Sequence, residues 1–251
     1  MTVREAINTA KSALPQIDSI GKEVLRFFAK ELNCRVEKLI AFDETEIDND
    51  RLAYLLQQRS EHVPFEYIIN EADFYGDLFY VDKRCLIPRP ETEILVEHAV
   101  RIAKEISAER LLDICTGSAV AAICIQKQLP SLSVAASDIS TDALEVAKIN
   151  IKKHALQIEV IESDLFESEK TDNFEIVTAN PPYIQNGYGL EQNVLKEPHG
   201  ALFGGERGDE VITRILDGFF ARSYRAIVCE IGFDQKNYVL DTINGKKSIK
   251  Y

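Results

Sequence analysis

The sequence predicts an α/β protein: a doubly wound, mostly parallel sheet, preceded by a small N-terminal helical domain and a β-hairpin connector. Three observations predict it. From residue 91 onward, short apolar runs alternate with helix-periodic segments, the pattern of a sheet built by crossovers. The strand cores "RLLDIC", "SVAASDI", "IEVIES", "FEIVTA" and "RAIVCEI" are brief and rich in Val, Ile and Ala, as strands covered on both faces are. The first sixty or so residues carry apolar side chains at helical spacing and no strand pattern.

In chain order, "IDSIGKEVLRFFAKELN" puts Ile20, Val24, Phe27, Phe28 and Leu32 on one helix face, and "DNDRLAYLLQQRSE" does the same for Leu52, Leu55 and Leu56. These helices predict a domain over residues 1–62. Residues 63–90 are aromatic and β-branched, with Gly76-Asp77 between two strand-like runs, so a hairpin connector is expected there. A helix then begins at Glu91: Pro90 suits its first position, and Glu91 and Glu93 suit the positive end of its dipole. Residues 91–251 form the α/β domain. Its helices are "SAVAAICIQKQL" and "TDALEVAKINIKKHAL", the latter with Ser140 as N-cap, and "DQKNYVLDTI" after the fifth strand. "KKSIKY" reads as the start of a sixth strand.

Composition narrows the function classes. The 251 residues carry a net charge of -12, which disfavours a general DNA-binding role. No apolar run approaches the roughly 18 residues that span a membrane, and the N-terminus has no signal-peptide core. Cys34, Cys85, Cys115, Cys124 and Cys229 are scattered without a Cys-x-x-Cys pair, as free thiols of a cytoplasmic protein are. His62, His98, His154 and His199 do not cluster, and no metal site is expected.

Ligands of such sheets bind beyond the C-terminal strand ends. After the first strand stands "DICTGSA", residues 113–119, a strand–loop–helix passage with a single glycine. Gly117 can take a positive φ or let a ligand approach the backbone, and Ser118 and Ala119 open the helix. Taken alone, the stretch reads equally as a cofactor loop or an ordinary turn. Asp138 tips the second strand 21 positions after Gly117, a spacing that suits an acid on ribose hydroxyls or a cap for the next helix. Asp164 ends the third strand, as an acceptor for an adenine amino group or as a plain loop acid. The strongest local signal is "TANPPYI" at the end of the fourth strand. Its two prolines stiffen the turn, Asn180 is pushed extended, and the Asn side-chain carbonyl and nearby backbone carbonyls are held in fixed directions. Such acceptors suit the two hydrogens of a planar NH2 group, and Tyr183 offers a flat face.

"NPPY" after the fourth strand resembles the class I S-adenosylmethionine-dependent methyltransferases that modify an amide or exocyclic amine. "FYGDLFYVDKRCLIPRPETEILVE", "EPHGALFGGERG" and "CEIGFDQ" narrow the match to the release-factor glutamine N5-methyltransferases of the HemK/PrmC type, whose fold is Rossmann-like. The resemblance runs from about residue 64 to 235. It implies an enzyme that methylates the glutamine side chain of the Gly-Gly-Gln motif in class 1 peptide chain release factors, with S-adenosyl-L-methionine as donor, and it implies docking of the release factor on the N-terminal helices. A monomer is expected. Leu86, Cys115, Thr116, Gly117, Ser118, Ala119, Asp138, Asp164, Leu165 and Asn180 would contact the cofactor, and Asn180, Pro181, Pro182 and Tyr183 the substrate. Asn180, Pro181 and Tyr183 would carry catalysis, with Asn180 Oδ1 and the Pro181 carbonyl each accepting one amide hydrogen while Tyr183 packs on the amide face.

Other readings stand beside this one. A glutamine methyltransferase for a ribosomal protein shares NPPY, a DNA adenine-N6 methyltransferase would want a recognition region and more positive charge, and a release-factor-binding module would lack turnover. Cys115 and Ala119 replace two glycines, which motivates the last of these; both are expected at negative φ, with the Cys115 thiol beside the cofactor. The glutamates of "PRPETE" read as helix-start architecture, and Arg89 as a partner for an acid. The family pattern continues beyond residue 251 with an antiparallel strand, so an open sheet edge and a lower stability than a longer chain are expected.

Overall fold

The computed structural model describes residues 1–247. The chain packs as two compact units, Met1–Asn70 with Glu191–Lys196, and the remainder. The first unit is helical: α1 (Val3–Ala13), α2 (Ile20–Glu31), α3 (Val36–Ala41), α4 (Asn49–Ser60) and α5 (Phe65–Ile69). Thr2 and Glu5 close a capping box at the start of α1. Ile20, Val24, Phe27 and Phe28 bury against Leu52, Leu55 and Phe65. Leu32, expected on that face, is exposed because α2 ends one residue before it. Glu23 and Arg59 tie α2 to α4 by an enclosed ion pair at 2.6 Å, and Arg59 also donates to the Val63 carbonyl. After α4 ends at Ser60, a separate short helix, α5, opens the stretch expected as hairpin connector, and Asn70 ends it in the left-handed conformation.

The second unit begins with the hairpin β1 (Ala72–Phe74) and β2 (Asp77–Phe79). Its two connecting residues, Tyr75 and Gly76, both have positive φ, the turn whose twist matches the strands. Then come α6 (Thr92–Glu105), β3 (Arg110–Ile114), α7 (Val120–Gln128), β4 (Ser133–Asp138), α8 (Thr141–Lys153), β5 (Glu159–Glu162) and β6 (Ile176–Ala179). They are followed by β7 (Ile184–Gln185), α9 (His199–Leu202), β8 (Phe203–Gly205), α10 (Glu210–Phe220), β9 (Ala226–Cys229) and α11 (Lys236–Lys247).

Five strands pair in the order β5-β4-β3-β6-β9, all parallel. Alternate side chains feed opposite cores. Leu111, Val134, Ala136 and Ile176 join α6, α7 and the hairpin phenylalanines, whereas Leu112, Ile114, Ala135 and Val177 join Phe166, Phe174 and Ile215 of α10. Helices thus cover both faces, which is why the strands read as continuous apolar runs. The strand order reverses between β3 and β6, and that switch point is where open sheets of this kind form their crevice. The crossover helix α10 carries Ile212, Ile215 and Leu216 inward at helical spacing, a periodicity present in "EVITRILDGFF". Ser140 does cap α8, accepting from the Ala143 amide. Helix α6 starts at Thr92, one residue later than expected. The sixth strand expected at "KKSIKY" is not seen where it falls within the description: Lys246 and Lys247 close α11, and the rest lies outside the described residues. Among the described residues, no helix is long and apolar enough to cross a membrane.

Candidate active site

A cleft of about 380 Å³ opens at the C-terminal ends of β3, β4 and β6. Of the residues expected at a cofactor, Leu86, Cys115, Thr116, Gly117, Ser118, Asp138, Asp164, Leu165 and Asn180 all line it. Ala119 does not; it is fully buried behind the loop. Of the substrate motif, Asn180 and Pro182 line the cleft, whereas Pro181 is buried and Tyr183 stands outside the lining, half-buried.

The loop after β3 is held from below. Asp113, buried near the C-terminal end of β3, accepts hydroxyl hydrogens from Thr116 and from Thr178 of β6, each at 2.6 Å. Burial pushes the Asp113 carboxyl up to about 6, against the pull of those two hydroxyls. The Thr116 amide bonds the Ser137 carbonyl, and Gly117 N donates to Asp138 Oδ2 at 2.9 Å. Asp138 Oδ1 accepts from Ser140 N at 2.9 Å, so the acid both caps the turn into α8 and faces the cleft. Burial raises its pKa, opposed by those amides. On the far side Asn150, fully buried on α8, uses its whole amide: Oδ1 accepts from Tyr80 N, and Nδ2 donates to the carbonyls of Tyr80 and Ser118.

Two expectations about this loop are overturned. Cys115 has φ +54° and Ala119 φ +62°, so both occupy the left-handed region, as does Gly117 at +55°. The two non-glycine residues keep the backbone path that glycine would give, at a cost of about 1–2 kcal/mol each. The path survives because it is over-determined by the bonds just described. Burial raises the Cys115 thiol's pKa well above its ordinary value, so it sits in the cleft wall as a protonated, apolar-like group. Leu165 is also left-handed, at +52°.

The acceptor end is braced from three sides. Asn180 Nδ2 donates to Thr92 Oγ1 at 2.9 Å, which leaves Oδ1 without a protein partner among the described residues. Thr92 donates to Glu230 Oε2 at 2.8 Å, and the Tyr183 hydroxyl to Glu230 Oε1 at 3.3 Å. Burial, then the Glu230 charge, pushes the Tyr183 hydroxyl up to about 12. Gly204 and Gly208 press on the NPPY backbone: a Cβ at Gly204 would stand 2.5 Å from the Pro182 oxygen, and one at Gly208 2.6 Å from the Tyr183 oxygen. Gln235, buried, donates from Nε2 to the carbonyls of Tyr183 and Gly208.

Thr92, Glu230, Gln235 and Asn150 were not found by reading the sequence, because hydrogen-bond partners far apart in the chain leave no spacing signal. Arg89 does pair with an acid: it meets Glu197 at 2.5 Å, and Glu197 also accepts from Ile87 N. Glu93 accepts from Tyr75 N, so it fastens the hairpin to α6 as well as starting the helix.

The chemistry of the cleft suits an adenosine-bearing sulfonium ligand. Its walls are apolar at Leu86, Ile139, Leu165 and Val211, and two acids, Asp138 and Asp164, stand at strand ends. Asp164 is paired with Arg214 at 2.8 Å. A Cβ built at Gly117 would meet no atom within 4 Å, so the backbone there borders open space that a ligand can approach.

Comparison with known proteins gives the family. Residues 90–205 match the family described as methyltransferase small domain. The chain is 41% identical over 198 residues to the release factor glutamine methyltransferase of Streptococcus pneumoniae (strain ATCC BAA-255 / R6), covering 76% of this chain and 70% of that protein. It is 35% identical over 226 residues to that of Koribacter versatilis (strain Ellin345), covering 86% and 80%. Among solved structures, the hMettl16 catalytic domain in complex with the MAT2A 3'UTR hairpin 6 aligns with a TM-score of 0.53 at 14% identity, over 79% of this chain and 84% of that one, and so shares the fold. With a parallel sheet whose switch point carries the acids, the left-handed loop and the braced NPPY turn, and with relatives of this closeness over most of its length, the chain belongs to the release factor glutamine methyltransferase family.

Proposed function

We propose that this protein transfers a methyl group from S-adenosyl-L-methionine to the side-chain amide nitrogen of the glutamine in the Gly-Gly-Gln motif of class 1 peptide chain release factors. The observation that carries the reading is Asn180: its Nδ2 is committed to Thr92, and its carbonyl oxygen remains as an acceptor on a residue that lines the cleft. The names of the relatives give the substrate class.

The donor, when bound, supplies an electrophilic methyl on a sulfonium. Asp138 would take the ribose hydroxyls with its remaining lone pairs, Asp164 the adenine edge, and Leu86 and Leu165 the apolar faces. Cys115, Thr116, Gly117 and Ser118 would border it with backbone, with Ala119 supporting that path from behind. A glutamine amide is a poor nucleophile because its lone pair is delocalised. Asn180 Oδ1 and the Pro181 carbonyl each accept one amide hydrogen, which holds the nitrogen in place and stabilises the positive charge developing on it. Fixing reactants in this way is worth on the order of 7–11 kcal/mol. Pro182 and Tyr183 keep the turn stiff, and the proton leaves to water once the bond has formed. The helical unit docks the release factor; Ile40 and Phe42 expose apolar surface there. The protein acts as a cytoplasmic monomer.

The left-handed Cys115 and Ala119 weigh against a binding module without turnover, because the loop keeps its shape despite its composition. The test is radiolabelled methyl transfer to purified release factor, ribosomal proteins and nucleic acid in parallel. Label on the release factor at the Gly-Gly-Gln glutamine is expected. Label on ribosomal protein or nucleic acid alone would overturn the substrate, and no label with intact cofactor binding would overturn the enzyme.

A further inference from the structure

We propose that Thr92 and Glu230 are positioning residues that choose which end of the Asn180 amide faces the methyl acceptor; the proposal rests on the reading of Asn180 Oδ1 as an acceptor for the substrate amide. The two ends of an asparagine amide are nearly the same size and opposite in hydrogen-bonding sense. Turned over, Asn180 would present its NH2 to the substrate's NH2. The NPPY turn fixes the backbone but does not by itself decide between the two.

The hydroxyl–carboxylate chain decides. Ionised Glu230 only accepts, and Thr92 has a single hydroxyl hydrogen. That hydrogen lies on the 2.8 Å contact to Glu230 Oε2, so a lone pair of Thr92 faces Asn180, and only Nδ2 complements it, at 2.9 Å. Glu230 is itself placed by the sheet, since its amide bonds the carbonyl of Ala179, the residue before Asn180. Thr92 is buried at the first position of α6. The other oxygen of Glu230 receives the Tyr183 hydroxyl, so one carboxylate serves both ends of the motif.

The arrangement makes the amide's orientation depend on the charge of Glu230. A proton on Oε2 turns Glu230 into a donor, frees the Thr92 hydrogen to face Asn180, and makes Oδ1 the complement in place of Nδ2. Burial raises the Glu230 pKa, and the hydroxyls of Thr92 and Tyr183 oppose it. Of the nearby charges, Glu91 raises it and Arg89 lowers it, while the adjacent Cys229 thiol is kept protonated by burial. Activity therefore falls on the acid side as Glu230 takes up its proton, above the ordinary glutamate range.

The experiment measures kcat and KM for methyl transfer to purified release factor against pH, with calorimetry of S-adenosylmethionine binding, for the full chain and for Thr92→Val, Thr92→Ser and Glu230→Gln. Thr92→Val should lower kcat on the order of 10- to 100-fold with cofactor affinity retained, the size of effect expected from a small misplacement at the reacting centre. Thr92→Ser should restore it, and Glu230→Gln should flatten the acid limb shown by the unaltered chain. A folded Thr92→Val with undiminished kcat, a Thr92→Ser as slow as Thr92→Val, or a Glu230→Gln that keeps the acid limb overturns the proposal alone. Should Thr92→Val fail to fold, the pH profile of Glu230→Gln decides. Absence of transfer by the unaltered chain overturns the functional reading and this proposal together.

Discussion

Thr178 on β6 donates its hydroxyl to Asp113 on β3 at 2.6 Å, joining the two strands between which the sheet reverses its order. The carboxyl that receives it is raised to about 6 by burial. A raised carboxyl stabilises the fold fully below its unfolded value near 3.9, and that contribution is lost as pH rises through about 6. The difference is roughly 3 kcal/mol over the whole window, with about half of it above about pH 5. Asp113→Asn lacks this titration. Urea unfolding of both chains at a series of pH values should show the variant gaining relative to the unaltered protein as pH rises, and a constant difference would refute the assignment.

Gly117→Ala separates backbone need from ligand approach. No atom stands within 4 Å of the added methyl, so the folded state loses only the left-handed preference, about 1–2 kcal/mol. Cofactor affinity should fall by much more, because Gly117 lines the cleft and the open space beside its backbone is where the ligand would lie. Melting temperature and calorimetry on the same preparation give the two numbers, and equal small effects on both would remove Gly117 from the ligand's path.

Asp138 needs a two-variant test, since its oxygens also hold the amides of Gly117 and Ser140. Asp138→Ala should abolish measurable S-adenosylmethionine binding and destabilise the loop. Asp138→Asn keeps one acceptor oxygen, and its affinity should drop by about 10-fold or more, as expected for a lost charge-assisted bond. Unchanged affinity in Asp138→Asn, by calorimetry, would take the ribose role away from this acid.

Asn150→Ala leaves the Tyr80 amide and the carbonyls of Tyr80 and Ser118 without their partner. At 1–3 kcal/mol for each buried group, partly relieved by relaxation, a loss of roughly 2–4 kcal/mol is expected in chemical unfolding. A loss below about 1 kcal/mol would mean that water replaces the side chain.

The sheet was readable from the sequence because its strands are apolar on both faces, and burial leaves a compositional trace in the residues themselves. The five cores fall where "RLLDIC" to "RAIVCEI" placed them. Asp138 and Asn180 were equally legible, since strand-end position and proline stiffness are local properties. The conformation of Cys115 was not. Side-chain identity argued for negative φ, and the bonds that force positive φ come from Ser137, Asp138 and Asp113, which the chain brings together only on folding. Thr92 and Glu230, 138 positions apart, were hidden for the same reason.

The left-handed Cys115 and Ala119 also bear on how relatives are found. If loop shape is what descends in this lineage, a pattern that demands glycines at the flanks of Gly117 would pass over this chain, although its backbone turns at the same three places. A search keyed to the strand-end acid, the NPPY turn and three left-handed positions would retrieve it, and would sort cofactor loops by geometry instead of by spelling.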